Sequence, residues 1–127
     1  MSPATASILG STSPEALTIY FAGGLFDHKA LVGNQILATY IETMSKNRYK
    51  CVLPQNVELP THRAAGIRNA DLRLVMACDL AIFNFDGTEL DSGTVVEKMF
   101  AKFLDIPCVT VRSDFRNGGD RKSTRLN

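Results

Sequence analysis

A chain of 127 residues with a hydrophobic fraction of 45% is suited to a single globular domain with one core. Its formal net charge of +1 gives no reason to expect a nucleic acid polymer as a partner or a membrane-seeking surface. No apolar run approaches the roughly 20 residues that a membrane-spanning helix requires, so we expect no membrane partner either.

The first half of the chain predicts a flexible lead followed by a strand, a helix and a second strand. Residues 1–16, "MSPATASILGSTSPEA", are small and polar and lack the basic start and apolar centre of a secretory signal. The apolar runs "LTIYFA" (17–22) and "KCVLP" (50–54) do not alternate, which is typical of strands covered on both faces. Between them, the pattern in 28–47 predicts a helix with a core-facing stripe of Leu37, Tyr40, Ile41 and Met44.

The second half of the chain adds two helices and two strands in the same alternation. The patterns in 61–78 and 93–104 predict helices, and "DLAIFNF" (79–85) and "PCVTVR" (107–112) predict strands. The core-facing stripes of these helices are Ile67, Leu72, Val75 and Met76, and then Val96, Phe100, Phe103 and Leu104. The alternation predicts an α/β domain, in which a parallel sheet of at least four strands has helices on both faces.

The composition changes after Arg112, where "SDFRNGGDRKSTRLN" is polar, with paired glycines and four basic residues. We assign the domain to residues 17–120 and expect 121–127 to be a disordered or non-native tail. A three-layer domain of this kind usually continues beyond its fourth strand.

The cysteines and histidines give no pattern that holds a metal or a disulfide. Cys51, Cys78 and Cys108 are odd in number and lack CxxC spacing, and His28 and His62 lie far apart in the sequence. We expect reduced, buried thiols in a cytoplasmic protein, with no metal site.

Three loops that follow strands are predicted to meet at one edge of the sheet. They are "GGLFD" (23–27), "PQN" (54–56) and "DGTELDSGT" (86–94). In open parallel sheets, ligands bind beyond the carboxyl ends of the strands, and Gly23 and Gly24 would let a ligand approach the backbone. Neither GxGxxG nor GxxxxGK[ST] occurs, so the loops predict neither a dinucleotide nor a nucleoside triphosphate cofactor.

Acidic residues are concentrated in "FNFDGTELDSGTVVEKMFAKF" (83–103), where a predicted strand is followed by a predicted helix. We place Glu97 in the first turn of that helix, where free N–H groups and the helix dipole favour an ionised carboxylate that could act as a nucleophile. The alternative is structural. Thr94 and Glu97 have the spacing of a capping box, in which the glutamate only closes the helix start.

Three more residues are candidates for chemistry, each with a structural alternative. Asp91 is either a proton donor or ligand anchor in the same cavity as Glu97, or a solvated aspartate of a turn. Asp71 lies in the middle of a predicted helix, where an acid is usually on the surface. Tyr20 lies within the first strand, where a tyrosine normally belongs to the core and its hydroxyl contacts a polar group.

Three blocks of the sequence together resemble the nucleoside 2-deoxyribosyltransferase family. They are "TIYFAGGLFD" (18–27), "RNADLRLVMACDLAIFNFDG" (68–87) and "DSGTVVEKMFAKF" (91–103), in the order and spacing of the family. The resemblance covers roughly residues 17–120. It implies a flavodoxin-like (Rossmann-like) fold and transfer of 2-deoxyribose between nucleobases through a covalent glycosyl-enzyme.

The resemblance also implies a role for each matching residue. In its D-x-G-x-x-x-E block, Glu97 matches the nucleophile and Asp91 the acid that contacts the base, while Tyr20 matches a tyrosine that orients the nucleophile. The residues implied for substrate binding are Asp71, Gly23, Phe26 and, as a looser match, Gln55. The implied partners are deoxynucleosides and free nucleobases, and no cofactor is implied.

The family commonly completes each pocket with an asparagine from a neighbouring subunit, which implies a homo-oligomer. Asn117 lies in a similar segment but is not equated with that residue. Two alternatives stay open beside the transferase. The first is a deoxynucleoside 5′-monophosphate N-glycosidase, which gives the sugar to water, and the second is a nucleoside-binding module without turnover. The scarcity of serines and the presence of Asp27 in the first loop favour a free nucleoside over a nucleotide.

Overall fold

One parallel sheet of four strands forms the centre of the part of the protein that the structure describes. Its computed structural model describes residues 15–58, 63–87 and 89–113. The strands are β1 (Leu17–Ala22), β2 (Tyr49–Val52), β3 (Leu80–Asn84) and β4 (Cys108–Val111), in the spatial order β2-β1-β3-β4. The sheet therefore grows outward from β1 in one direction and from β3 in the other.

Three helices connect these strands and cover the two faces of the sheet. They are α1 (His28–Met44), α2 (Ala64–Ala77) and α3 (Ser92–Phe103), and a short 3-10 turn (Pro54–Asn56) follows β2. Helix α1 packs on one face, whereas α2 and α3 pack on the other and contact each other. The prediction of a three-layer α/β domain with a parallel sheet and helices on both faces is confirmed.

The central strand β1 supplies side chains to both layers. Phe21 packs with Ala38 of α1 in one cluster, while Tyr20 packs with Val75 of α2 and Ala101 of α3 in the other. Consecutive residues of a strand point to opposite faces, so Tyr20 and Phe21 necessarily serve different layers. The last four residues of β1 are all buried, as predicted for a strand covered on both sides.

Strand β4 differs from that prediction because it lies at the edge of the sheet. Val109 is 57% exposed, and the two middle residues of the strand are both exposed. The residues that follow β4 beyond Ser113 are not described.

The core-facing stripe predicted for α1 is wrong in three of its four positions. Leu37, Tyr40 and Met44 are exposed, while Ile41 packs against the core. The buried residues of α1 are Asn34 and Ala38. Because the residues facing the sheet are small, α1 turns its larger apolar side chains outward.

The stripes predicted for α2 and α3 are also partly wrong. Val75 is buried and Phe100 packs against the core, as predicted. The exposed members of the two stripes are Met76, Val96, Phe103 and Leu104. Helix α3 instead buries Thr94 and Ala101, so this layer also approaches the sheet through small residues.

The proposed domain boundaries lie largely outside the described residues, since 1–14 and 114–127 are not described. Among the helices that are described, none is long and apolar enough to span a membrane.

Candidate active site

A cavity of about 540 Å³ opens beyond the carboxyl ends of the strands, on the face of the sheet that α2 and α3 cover. It lies at the ends of β1 and β3, where the direction of sheet growth reverses, and open α/β sheets bind their ligands at this switch point. Its size is within the usual range for a small-molecule site. The lining residues are Ala22, Gly23, Leu25, Phe26, Pro54, Ala64, Ile67, Arg68, Asp71, Leu72, Asp91, Ser92, Gly93, Thr94, Val96 and Glu97.

Three carboxylates from different parts of the chain line this cavity. Asp71 comes from α2, Asp91 immediately precedes α3, and Glu97 lies within α3. We call these three residues the carboxylate cluster. Other lining residues, such as Phe26, Ile67 and Val96, are apolar, so the cavity combines an acidic centre with walls suited to a flat or hydrophobic ligand.

Helix α3 begins with Asp91 as its N-cap. The Oδ2 atom of Asp91 accepts hydrogen bonds from the backbone N–H of Thr94 (2.9 Å) and from its Oγ1 hydroxyl (2.7 Å). Asp91 is therefore a capping residue and not a solvated turn aspartate. Since α3 starts at Ser92, Glu97 belongs to the second turn, and both its placement in the first turn and the capping-box alternative with Thr94 are wrong.

The spacing of Asp91, Gly93 and Glu97 has a physical explanation in this helix. Gly93 lies one turn before Glu97, on the same side of the helix. A Cβ atom on Gly93 would meet only the Asp91 Oδ2 atom, at 3.4 Å. Gly93 therefore leaves room beside the Asp91 carboxylate, which fixes where the helix begins.

The pKa of Glu97 is raised to about 7. Burial is the main cause, the negative charges of Asp71 and Asp91 raise the pKa further, and the Tyr20 hydroxyl lowers it. The prediction that the helix start would favour the ionised form is therefore wrong, because burial and like charges outweigh it. Near neutral pH, Glu97 exchanges readily between its charged and its protonated form.

Tyr20 is completely buried beneath the cavity, as expected for a strand tyrosine. Burial and the charge of Glu97 raise the pKa of its phenol far above the usual value, so the hydroxyl keeps its proton. This hydroxyl makes no hydrogen bond of normal geometry with the described residues, yet it lies close enough to lower the pKa of Glu97. Hydrogen bonds at catalytic groups often become well aligned only when the substrate binds.

Asp71 and Arg68 lie one turn apart on the same side of α2. Asp71 is half-buried, and burial raises the pKa of its carboxyl, so it is not the solvated surface acid that its mid-helix position suggested. Arg68 is exposed, and it is the one basic side chain among the described residues that line the cavity.

Arg68, Ser92 and Leu72 also line the cavity but were not predicted as site residues. The spacing of three that separates Arg68 from Asp71 could have placed them on one helix face.

Of the other residues predicted to bind the substrate, Gly23 and Phe26 lie at the cavity and Gln55 does not. Gly23 and Phe26 line the cavity, and Phe26 is 88% exposed at its mouth. Gln55 does not line the cavity. Its Nε2 atom donates a hydrogen bond to the carbonyl oxygen of Leu31 in α1 (2.9 Å), and its buried Oε1 atom has no partner among the described residues. Pro54, the residue before it, forms part of the wall instead.

No group of three or more His, Cys, Asp or Glu side chains in the described ranges is arranged to hold a metal ion. Cys51, Cys78 and Cys108 are free thiols.

Comparison with known proteins gives a family and a fold. A family model described as nucleoside 2-deoxyribosyltransferase matches residues 19–127. A comparison with curated proteins gives no significant match.

Several solved structures share the fold. A conserved protein from Enterococcus faecalis V583 is 31% identical with a TM-score of 0.75, and the match covers 88% of this chain and 73% of that chain. A 2-deoxyribosyltransferase from Leishmania mexicana is 24% identical with a TM-score of 0.60, covering 77% of this chain and 65% of that chain. One from Bacillus psychrosaccharolyticus is 16% identical with a TM-score of 0.57, covering 75% and 72%.

Proposed function

Because the chain belongs to the nucleoside 2-deoxyribosyltransferase family, we propose that it transfers 2-deoxyribose from one nucleobase to another through a covalent glycosyl-enzyme on Glu97. The observation that carries this proposal is the carboxylate cluster at the switch point of the sheet, with the Glu97 carboxylate above the buried hydroxyl of Tyr20. The apolar walls suit the flat face of a nucleobase.

The chemistry that we propose uses two displacements at the same carbon. A Glu97 carboxylate oxygen forms a bond to the anomeric carbon while the bond from that carbon to the base nitrogen breaks, and the electron pair leaves with the base. Positive charge builds on the sugar in the transition state, and the cluster stabilises it. A second base then attacks the same carbon, and the bond to Glu97 breaks.

The departing base needs a proton, and the carboxylate cluster is the proposed source. Three acids in one cavity cannot all be charged without a cost, which favours retention of a proton on one of them. Asp71 is better suited than Asp91 to deliver this proton, because burial raises the pKa of Asp71. One oxygen of Asp91 already accepts two hydrogen bonds, so we assign Asp91 to holding the substrate.

The other predicted residues take supporting roles in this proposal. Tyr20 orients Glu97, and Gly23 and Phe26 form the wall against which the nucleoside packs. Gln55 contacts the base only if its side chain leaves Leu31, so its contribution is the least supported by the geometry.

An exchange assay tests the proposed function. The protein is incubated with a deoxynucleoside and a different free base, and the products are separated by chromatography. We expect the second deoxynucleoside to form, and we expect Glu97→Gln to abolish its formation while the fold is retained. Release of free sugar alone would instead indicate a hydrolase, and binding without any product would indicate a nucleoside-binding module.

Hydrolysis of a deoxynucleoside 5′-monophosphate is the second candidate, and Arg68 and Ser92 are the observation that favours it. Both line the cavity, and a guanidinium with a hydroxyl is a suitable set of donors for a phosphate. The matched experiment compares a deoxynucleoside with its 5′-monophosphate in wild type and in Arg68→Gln. A loss of activity confined to the monophosphate would support the second candidate.

We also propose that the protein is a homo-oligomer in the cytoplasm that serves nucleoside salvage. The large apolar side chains exposed on α3, of which Phe103 is 80% exposed, support self-association. The three free thiols are consistent with a reducing compartment.

A further inference from the structure

We infer that Asn34 is a positioning residue for the candidate active site: from α1, on the opposite face of the sheet, its side chain holds the Gly23–Phe26 loop that walls the cavity. The contacts that support this are independent of the reaction, whereas the kinetic consequence rests on the proposed function.

Asn34 is a polar residue in a position where an apolar one would be expected. It is only 4% exposed and lies one turn before Ala38, on the side of α1 that faces the sheet. Its Nδ2 atom donates a hydrogen bond to the carbonyl oxygen of Gly24 (3.2 Å). A buried amide is costly unless it is hydrogen-bonded, so the bond to the Gly24 carbonyl offsets the cost of burying Asn34.

The loop fits closely around this side chain. A Cβ atom on Gly23 would lie 3.4 Å from the Asn34 Oδ1 atom and 3.4 Å from the Cβ atom of Asn84. Gly23 therefore lies against both an α1 side chain and the end of β3, and a larger residue would crowd both. The far end of the loop is fixed by Asp27, whose Oδ1 atom accepts a hydrogen bond from the N–H of Ala30 (2.8 Å).

Neighbouring positions on the same side of α1 contact the turn after β2. Gln55 donates to the carbonyl oxygen of Leu31 (2.9 Å), and the Nδ2 atom of Asn56 donates to the Oε1 atom of Gln35 (3.0 Å). The first half of α1 therefore holds the two loops that supply Gly23 and Pro54 to the cavity wall, and Asn34 is the buried member of this set.

The wall contacts the nucleoside both before and during the reaction, so a displaced wall weakens ground-state and transition-state binding alike. We expect Asn34→Leu, which keeps the approximate volume but removes the donor, to raise KM for the deoxynucleoside about tenfold while kcat changes by less than about twofold. If this variant does not fold, Asn34→Asp offers the same test, because it replaces the donor with an acceptor that faces the Gly24 carbonyl.

Glu42→Leu is the matched control. The Oε1 atom of Glu42 accepts a hydrogen bond from the N–H of Cys51 (2.9 Å), so this α1 side chain also holds a backbone group, but at the end of the helix remote from the cavity. We expect Glu42→Leu to lower stability without changing KM. An equal rise of KM in both variants would overturn the inference, because it would show a general effect of loosening α1.

Hydrogen exchange separates this inference from the proposed function. We expect the amides of residues 23–26 to exchange faster in Asn34→Leu than in wild type or in Glu42→Leu. Unchanged exchange overturns the inference, and so does faster exchange with an unchanged KM. If wild type transfers no deoxyribose but the loop still loosens, the proposed function fails while the positioning role stands.

Discussion

Glu97 lies among groups that act on its pKa in opposite directions. Burial and the charges of Asp71 and Asp91 favour the neutral carboxyl, while the Tyr20 hydroxyl favours the carboxylate. A carboxyl with an ordinary pKa would be fully charged at neutral pH and would have no proton to share with its neighbours. The raised pKa therefore places the ionisation of the proposed nucleophile near neutral pH.

The first prediction concerns the pH dependence of transfer. We expect kcat/KM to rise as pH increases to about 7, by up to about tenfold per unit, because the Glu97 carboxyl must lose its proton before it can attack the anomeric carbon. Initial rates of exchange between pH 5 and 9 measure this directly.

The variant Asp71→Asn tests whether the pKa of Glu97 sets this pH dependence. Removing the Asp71 charge removes one of the influences that raise the pKa of Glu97, so the acid limb of the pH profile should shift to lower pH in addition to any loss of rate. An acid limb that stays in place in Asp71→Asn would contradict this assignment.

The second prediction is that Glu97→Gln stabilises the protein above neutral pH. Folding raises the pKa of Glu97 from 4.5 to about 7, so its contribution to stability is complete below pH 4.5 and is lost as pH rises through 7. A neutral glutamine avoids this loss. We expect the free energy of unfolding at pH 8 to rise by about 1 to 3 kcal/mol, after allowance for partial solvent screening.

Urea unfolding at pH 8 and pH 4 measures this effect. The difference between Glu97→Gln and wild type should almost vanish at pH 4, where both side chains are neutral. A gain of equal size at both pH values would mean that the substitution acts through packing and not through charge.

At the scale of the elements, helices α1 and α3 end in the same way. After α3, the N–H of Asp105 donates to the carbonyl of Lys102 (3.2 Å) and the N–H of Ile106 donates to that of Ala101 (3.0 Å), which is a Schellman motif. Asp105 has a φ of 55°, in the left-handed region that favours glycine. Lys46 occupies the equivalent position after α1, with a φ of 54°.

The third prediction uses these two helix ends. We expect Asp105→Gly to raise the free energy of unfolding by about 1 kcal/mol, because glycine removes the left-handed strain and the substitution also removes a negative charge from the helix C-terminus. Lys46→Gly should give a smaller gain, since it removes a favourable positive charge from the same kind of position. Thermal or urea unfolding of both variants measures the difference, and an equal gain would exclude the contribution of charge.

The sequence predicted the existence and order of the elements better than the way in which they pack. Short apolar runs and helical spacing were sufficient for the strands and helices of the parallel sheet. Small residues such as Ala38 and Ala101 carry little weight in a hydrophobic pattern, so the stripes were drawn through larger side chains that are exposed. Thr94 was considered as the cap of α3, which placed Glu97 in the first turn, whereas the helix begins at Ser92 with Asp91 as its cap.

At the scale of the whole molecule, the site depends on the strand order. The ends of β1 and β3 meet because the chain adds β2 on one side and β4 on the other. The position of the cavity therefore follows from the α/β alternation, and the sequence predicted it through the loops that follow the strands. Arg68 and Asn34 were missed because only the packed helices show which of their side chains reach those loops.

The exposed apolar side chains of α3 lead to the last prediction, on self-association. Val96, Met99 and Phe103 share one side of the helix and are 50%, 49% and 80% exposed, and Val96 also lines the cavity.

If copies of the chain associate through this stripe, each buried Phe103 contributes about 2 kcal/mol, so Phe103→Lys should weaken association about thirtyfold or more. Light scattering over a range of concentrations measures the mass of each variant. Val32→Lys, a matched substitution at a 57% exposed position on α1, should leave the mass unchanged. A wild-type protein that remains monomeric at high concentration would contradict the proposed homo-oligomer. A loss of association in Val32→Lys but not in Phe103→Lys would show that the interface lies on α1 and not on α3.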